Sequence, residues 1–350
     1  MQDRIDKNLV VENTMFDDVM TVYDVTKEPF AIYGNSKTAK NIFARMDEIA
    51  AEKVSVGVKN RGARSSGVRI RFMTNSKRLG IRAKISTTFH ACSLTGISAL
   101  GFDIYSGNKF IKSVFPDDAT VKPSVEYEHV VTLEGDMSDI TVYLPYNAVV
   151  QSLCFALDKD AAILSADGYK DILPIVFYGS SITHGMCASR PGITFAAKTA
   201  RNLGVDFVNL GFSGAARGEE SMAEYLAALN KSVIVCEYDE NEPTAEDLSR
   251  KHLPFYKKIR ETDKDTPILF ISRPNEGDAN ETHNRMKIVE ATYNFALKNG
   301  DSKVYFIDGL TLFPDEIRSD CTVDTVHPND LGAHMIAEKL TEKLKEILSI

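Results

Sequence analysis

The second half of the chain is punctuated by short apolar runs, each followed by a longer stretch with helical spacing, and this alternation constrains the fold more than any other feature. The runs fall at 172–178, 207–210, 233–237, 267–271 and 303–307. Each is nearly continuous in apolar residues, as strands buried on both faces are. The spacing predicts helices from 194 to Gly204, and then over 219–229, 245–262, 279–299 and 330–348. Gly204 and Gly300 stand where helices end. Pro254, inside 245–262, is expected to kink or split that helix. Strands alternating with helices build a parallel sheet covered on both faces, a three-layer α/β arrangement. Such sheets place their chemistry in the loops after the strand C-termini.

The first half has a different rhythm. Short runs at 67–73, 79–87, 130–133, 140–144 and 149–157 read as strands, the first of them with a clear period of two. Turn-like clusters at 75–77, 106–108 and 135–138 separate them, and the pattern predicts a β-sandwich. One stretch, 39–51, reads as a short helix. A chain of 350 residues has room for two domains. The division is placed so that 1–168 form the N-terminal β-sandwich and 169–350 the α/β domain.

Composition narrows the partners. The net charge is -8 and no run of Lys and Arg breaks the acidic excess, which argues against nucleic acid and anionic membranes. The cysteines, Cys92, Cys154, Cys187, Cys236 and Cys321, are odd in number and form no C-x-x-C pair. Neither a disulfide framework nor a thiolate zinc site is supported. The absence of H-x-H and H-E-x-x-H spacing speaks against a metal hydrolase. No apolar run is long enough to span a membrane, and residues 1–16 carry charges where a signal peptide needs apolar residues. The expectations are therefore no metal, no membrane partner and a cytoplasmic location. A homo-oligomer is compatible with a two-domain chain of this kind.

The loops of the second half carry the polar residues. After 172–178 comes Gly179-Ser180-Ser181-Ile182-Thr183-His184-Gly185, and after 207–210 comes Gly211-Phe212-Ser213-Gly214-Ala215-Ala216-Arg217-Gly218-Glu219. After 233–237 comes Tyr238-Asp239-Glu240-Asn241-Glu242-Pro243, and before the last helix Asp324-Thr325-Val326-His327-Pro328. A serine at a glycine-flanked strand end exposes its hydroxyl, but that hydroxyl needs an adjacent base, and the base an orienting group. Asp324 and His327 are spaced so that the carboxylate can hold one ring nitrogen while the other faces a serine. A tetrahedral oxyanion needs fixed donors, and the Gly214 backbone and the Asn241 amide are candidates. His184, Arg217 and Asp239 are candidate substrate-binding residues, with Arg273 a further residue able to face the cleft. Glu219 and Glu240 read as loop anchors, and Cys187 as a packed thiol. The alternatives are a turn role for Ser181, a helix-start role for Asp324 and His327, a capping role for Asn241, and His334 as a different base.

In these four blocks the second half resembles the SGNH hydrolases, the GDSL esterase or lipase family. Gly179-Ser180-Ser181-Ile182 is similar to G-D-S-[LI], Asn209 to Gly214 to the second block, Asp239-Glu240-Asn241 stands at the third, and Asp324-Thr325-Val326-His327 is similar to D-x-x-H. Position 180 is Ser where the family usually has Asp, and the third block lacks the glycine before Asn241 and the Asp after it. Tyr238-Asp239-Glu240-Asn241-Glu242-Pro243 resembles the Y-D-x-N-x-P of a subgroup with an N-terminal β domain bearing G-x-D-L-Y. Gly101-Phe102-Asp103-Ile104-Tyr105 is similar to that motif. The resemblance implies a flavodoxin-like three-layer α/β/α domain preceded by the β domain. It implies a triad of Ser181, His327 and Asp324, an oxyanion hole of the Ser181 amide, Gly214 and Asn241, and no cofactor. The activity implied is that of a serine esterase on short acyl esters, acetylated carbohydrates first. The alternatives are an acyltransferase using the same triad, or a lipase or thioesterase acting on longer chains. The chain has 13 Tyr and 18 Phe but no Trp, so any stacking on a sugar falls to Tyr or Phe. That favours a small acetylated sugar over a long polymer.

Overall fold

A computed structural model describes residues 14–86, 94–117, 124–274 and 279–350. Cys92, Thr87 at the end of one expected strand, and most of the stretch 1–16 lie outside the described residues. Contacts divide the chain into two compact units. The first takes the described parts of Met1–Arg45 and Arg64–Gly168 together with Arg190–Gly192; the second takes Met46–Ala63, Tyr169–Ser189 and Ile193–Ile350. The placement of Met46–Ala63 with the second unit is not what a single cut at 168/169 anticipates.

The first unit is built from β1 (Met20–Asp24), β2 (Ala31–Tyr33), β3 (Arg69–Thr74), β4 (Arg78–Ser86), β5 (Phe102–Ser106), β6 (Lys109–Val114), β7 (Val125–Thr132), β8 (Ser138–Tyr143), β9 (Val149–Asp158) and β10 (Ile163–Leu164). They pair antiparallel in two sheets, β1-β9-β4-β7 and β10-β3-β8-β5-β6 with β2 on β3. Alternation explains how the sheets share one core. Leu79, Ile81, Ala83 and Ile85 of β4 join Ile70, Phe72, Ile104 and Val142 of the other sheet in one apolar cluster, while Arg82, on the opposite face of β4, pairs with Glu128.

The stretch 39–51 is not one helix. Asn41 diverts it, accepting the Phe43 N–H at 3.0 Å and donating to the Val150 carbonyl at 2.9 Å. The helix α1 starts later, at Glu48–Val54, where Asp47 caps the Ile49 and Ala50 amides.

The second unit contains α1, α2 (Val56–Gly62), β11 (Ile175–Gly179), α4 (Ser181–His184), α5 (Phe195–Leu203), β12 (Phe207–Gly211), α6 (Glu220–Ala228), β13 (Val233–Glu237), α7 (Ala245–Thr262), β14 (Ile268–Ile271), α8 (Ala279–Lys298), β15 (Val304–Ile307) and α9 (Asp330–Leu348); the intervening α3 (Gly96–Leu100) belongs to the first. The strands are parallel in the order β12-β11-β13-β14-β15. Every residue of β11 and β13 is buried. Helices α6, α7 and α8 share an apolar cluster with the sheet, and α5 packs on α9. Thr194 caps α5 and Gly204 closes it.

Pro254 does not split α7, which runs unbroken from Ala245 to Thr262. The proline sits on the exposed face, so the carbonyl deprived of its N–H partner can be met by solvent. Phe255, Tyr256 and Ile259 stay buried beside it.

Candidate active site

Strand β11 ends at Gly179, where a Cβ would lie 2.1 Å from the Glu237 carbonyl oxygen and 2.2 Å from Thr183 Oγ1. With no room for a side chain, the backbone turns directly into the single turn of α4. Ser180 caps that turn, its Oγ accepting the Ile182 N–H at 3.0 Å. Ser181 is the first helical residue, and its backbone N–H therefore has no intrahelical acceptor.

Ser181 Oγ lies 2.8 Å from His327 Nε2. The other ring nitrogen, Nδ1, lies 2.7 Å from Asp324 Oδ2. Asp324 Oδ1 accepts the backbone N–H groups of His327 at 2.8 Å and Val326 at 3.2 Å. Burial would raise the Asp324 carboxyl, but the hydrogen bonds from His327 and Val326 outweigh it and hold the group below the usual carboxylate range. The loop is closed by a bridge between Thr322 and Pro328 and by the Val323 N–H donating to the His327 carbonyl at 2.9 Å. Thr325, between the pair, has φ +66°, a conformation that β-branched residues rarely adopt. The start of α9 is capped by Asn329, which accepts the Leu331 and Gly332 amides. The helix-start role thus belongs to Asn329, leaving the Asp324 carboxylate to the ring. His334 lies on α9 with its ring 3.9 Å from Glu338.

Because β11 lies between β12 and β13, with adjacent strands about 5 Å apart, the loops after all three leave the same end of the sheet. Gly214 is exposed, and its N–H donates to Asn241 Oδ1 at 3.1 Å. Asn241 Nδ2 donates to the Phe212 carbonyl at 3.2 Å. The two candidate donors therefore tie their loops together. The cap of α7 is Thr244, which accepts from Asp247, so Asn241 does not serve there.

The other polar candidates are placed less openly. His184 is fully buried, with Nδ1 2.9 Å from Ser213 Oγ. Asp239 is also buried; its Oδ2 accepts the Arg273 N–H at 3.1 Å and its carbonyl accepts from Arg285. Burial pushes the Asp239 carboxyl up to about 6, against the Arg273 hydrogen bond. Neither residue has surface to offer a substrate, because each braces a loop from behind. Arg217 is exposed, with its backbone N–H on Glu219 Oε2 at 3.1 Å. Glu240 pairs with Arg273 Nη1 at 2.7 Å. Cys187 is buried. In the first unit, Asp103 is fully buried and accepts from Ser113, from Arg190 Nη1 at 2.9 Å and from the Gly192 N–H at 2.8 Å.

One further residue of the site lies in no motif of the sequence. Glu237, at the end of β13 and 3% exposed, accepts from Ser180 Oγ at 2.9 Å, from Thr183 Oγ1 at 2.8 Å and from the Thr183 N–H at 3.2 Å. It grips the residues on either side of Ser181 and Ile182. Burial, reinforced by Asp239, pushes its carboxyl up to about 8. The signal was available: an acid closing an otherwise apolar, doubly buried strand needs a partner. Among the described residues, no group of three or more His, Cys, Asp or Glu is placed to hold a metal ion, and no helix is long and apolar enough to cross a membrane.

Residues 173–345 match the model of the GDSL-like lipase/acylhydrolase family, and residues 20–163 match that of the GxDLY N-terminus of SGNH-hydrolase-type esterases. No curated protein matches the chain. Among solved structures, the chain is similar to a GDSL-like lipase from Bacteroides ovatus, at 26% identity and TM-score 0.85, over 95% of this chain and 98% of that one. It shares its fold with the salicylyl-acyltransferase SsfX3 of a tetracycline biosynthetic pathway, at 20% identity and TM-score 0.78, over 95% and 98% of the two chains. It also shares its fold with an acetyl xylan esterase from the rumen bacterium Butyrivibrio proteoclasticus, at 14% identity and TM-score 0.59, over 95% and 99%. With both halves matched and the strand-end blocks in place, the chain belongs to the GDSL-like (SGNH) acylhydrolases, enzymes of the ester bond, and carries their GxDLY-type N-terminus.

Proposed function

We propose that this enzyme is a serine esterase of short acyl esters, acetyl esters of small carbohydrates first, working through Ser181, His327 and Asp324. Its architecture is read as an N-terminal β-sandwich followed by a flavodoxin-like α/β/α catalytic domain. The observation that carries the reading is the unbroken hydrogen-bonded path from Asp324 through His327 to Ser181 Oγ.

In this mechanism His327 Nε2 takes the Ser181 proton as Oγ attacks the ester carbonyl carbon. The imidazolium that forms is stabilised by Asp324. The oxyanion is met by the Ser181 N–H, the Gly214 N–H and Asn241 Nδ2, and it competes with Asn241 Oδ1 for the Gly214 donor. His327 then protonates the departing alcohol oxygen, and the acyl group stays on Ser181. A water, deprotonated by His327, attacks the acyl carbon and releases the acid, and the proton returns to Ser181. No cofactor or metal enters these steps.

The acetyl-carbohydrate assignment draws on fold-level likeness to the acetyl xylan esterase and to a family two carbohydrate esterase from Clostridium thermocellum. The full-length likeness to a salicylyl-acyltransferase supports a second reading, in which a bound alcohol replaces water as acyl acceptor. Product analysis with a sugar acceptor separates the two. Ser181→Ala should lower turnover of p-nitrophenyl acetate by on the order of 10⁴-fold or more while the circular dichroism spectrum is unchanged. Wild-type turnover in that variant would sink the assignment. Rates on p-nitrophenyl esters should fall with acyl length, and a preference for long chains would point to a lipase or thioesterase.

A further inference from the structure

Helix α2 belongs by its contacts to the catalytic unit, although the match to the acylhydrolase family begins only at residue 173. Ser55 caps it, accepting the Val58 N–H at 3.1 Å. Val58 is fully buried in the same apolar cluster as Phe212, Ala215 and Ala216. Just ahead of the helix, the Lys53 carbonyl accepts from Ser221 Oγ at 3.3 Å. Further along it, a Cβ on Gly62 would lie 3.9 Å from the Phe212 ring. The tightest approach is at Gly57, where a Cβ would lie 2.9 Å from the Ala215 Cβ, closer than real Cβ atoms come. Ala215 is the immediate neighbour of Gly214. The bare backbone of α2 thus rests against the loop that presents the Gly214 N–H.

We propose that Gly57 is a positioning residue for catalysis: through it, α2 sets the 212–216 loop so that the Gly214 N–H meets the oxyanion. The proposal rests on Gly214 acting as an oxyanion donor. Its logic is steric. Glycine inside a helix costs roughly 0.5–1 kcal/mol relative to alanine, and Gly57 is not among the glycines with positive φ. The helix itself would accept a methyl group there; Ala215 would not. Donors to an oxyanion work only over a few tenths of an ångström around about 2.9 Å, so a small push on Ala215 suffices to misplace its neighbour.

The test is a size-swap cycle in the full chain: Gly57→Ala, Ala215→Gly and the double variant, assayed on p-nitrophenyl acetate beside Ser181→Ala. In Gly57→Ala, kcat should fall by on the order of tenfold or more with KM within about twofold. Its Tm should fall by no more than a few degrees, because the helix propensity gained offsets part of the strain against Ala215. In the double variant, where the second substitution vacates the space the first one fills, most of the lost kcat should return. A merely structural role would lower Tm while leaving kcat close to wild type. Wild-type kcat in Gly57→Ala beside an inactive Ser181→Ala would overturn the proposal alone, as would a loss the double variant does not relieve. Full activity in Ser181→Ala would overturn the reading of the site and this proposal with it.

Discussion

The two sides of the Ser181–His327 hydrogen bond are built in opposite ways. On the serine side, Ser180, Thr183 and His184 are almost wholly buried, and the turn is gripped by a buried carboxyl from the next strand. On the base side, the side chains of Asp324 and His327 are 43% and 22% exposed, and a short hairpin-like loop holds them by its own hydrogen bonds. The serine's position is a property of the sheet, while the base's position is a property of a few neighbouring residues. Changes on the serine side should therefore disturb stability and activity together, and changes on the base side activity alone.

The largest separation of the two quantities is expected at Asp324. Asp324→Asn keeps an oxygen for the two loop amides but loses the carboxylate against the ring. The comparable change in a serine protease lowers kcat about 10⁴-fold, and steady-state kinetics here should give a loss of that order with Tm nearly unchanged. A large fall in Tm would erase the contrast.

Glu237→Gln should lower stability and activity together, costing about 1–3 kcal/mol of stability as an amide N–H₂ is set against the donors of Thr183 or Ser180. The same variant has a pH signature. The unfolded carboxyl ionises near 4.5 and the folded one at about 8. Between those values the native state holds the extra proton, so this group's contribution is present below 4.5, is lost as pH rises through the window and levels off above it. Urea unfolding across that range should show a decline in wild type that is shallower in Glu237→Gln. Identical slopes would remove Glu237 from the account.

The smallest effect is expected at Asn329. Asn329→Ala removes the cap of α9 at a cost of about 1 kcal/mol. With Asp324 and His327 holding each other locally, kcat should change little, and a drop rivalling that of Asp324→Asn would show that the base loop depends on the helix behind it.

The same contrast decided what could be read from the sequence. The residues of both loops were legible because loop chemistry is written in consecutive letters: Gly179 to Gly185 on one strand end, Asp324 to His327 before a helix. The strands of the second half were legible because double burial leaves continuous apolar runs, and 233–237 and 245–262 coincide with the observed elements. Partnerships across the fold were not legible. Glu237 lies 57 residues from Ser180, and no local pattern announces that pairing. His184 and Asp239 looked available because polarity was visible and burial was not. The first half misled where one Asx turn at Asn41 interrupted an apparently helical stretch, and the hairpin of β5 and β6 was hidden behind the motif it carries.

The assignment of Met46–Ala63 to the catalytic unit also bears on how the protein is made. Chains leave the ribosome N-terminus first, at about 5–20 residues per second. Residues 46–63 therefore emerge on the order of ten seconds before the loop at Ala215 that receives them. Through that interval Val58 and Ala51 lack Phe212, Ala215 and Ala216, members of the cluster that buries them in the finished fold, and the amphipathic segment is open to proteases. A nascent chain arrested before residue 215 should be cut within 46–63, and the completed chain should resist the same protease there.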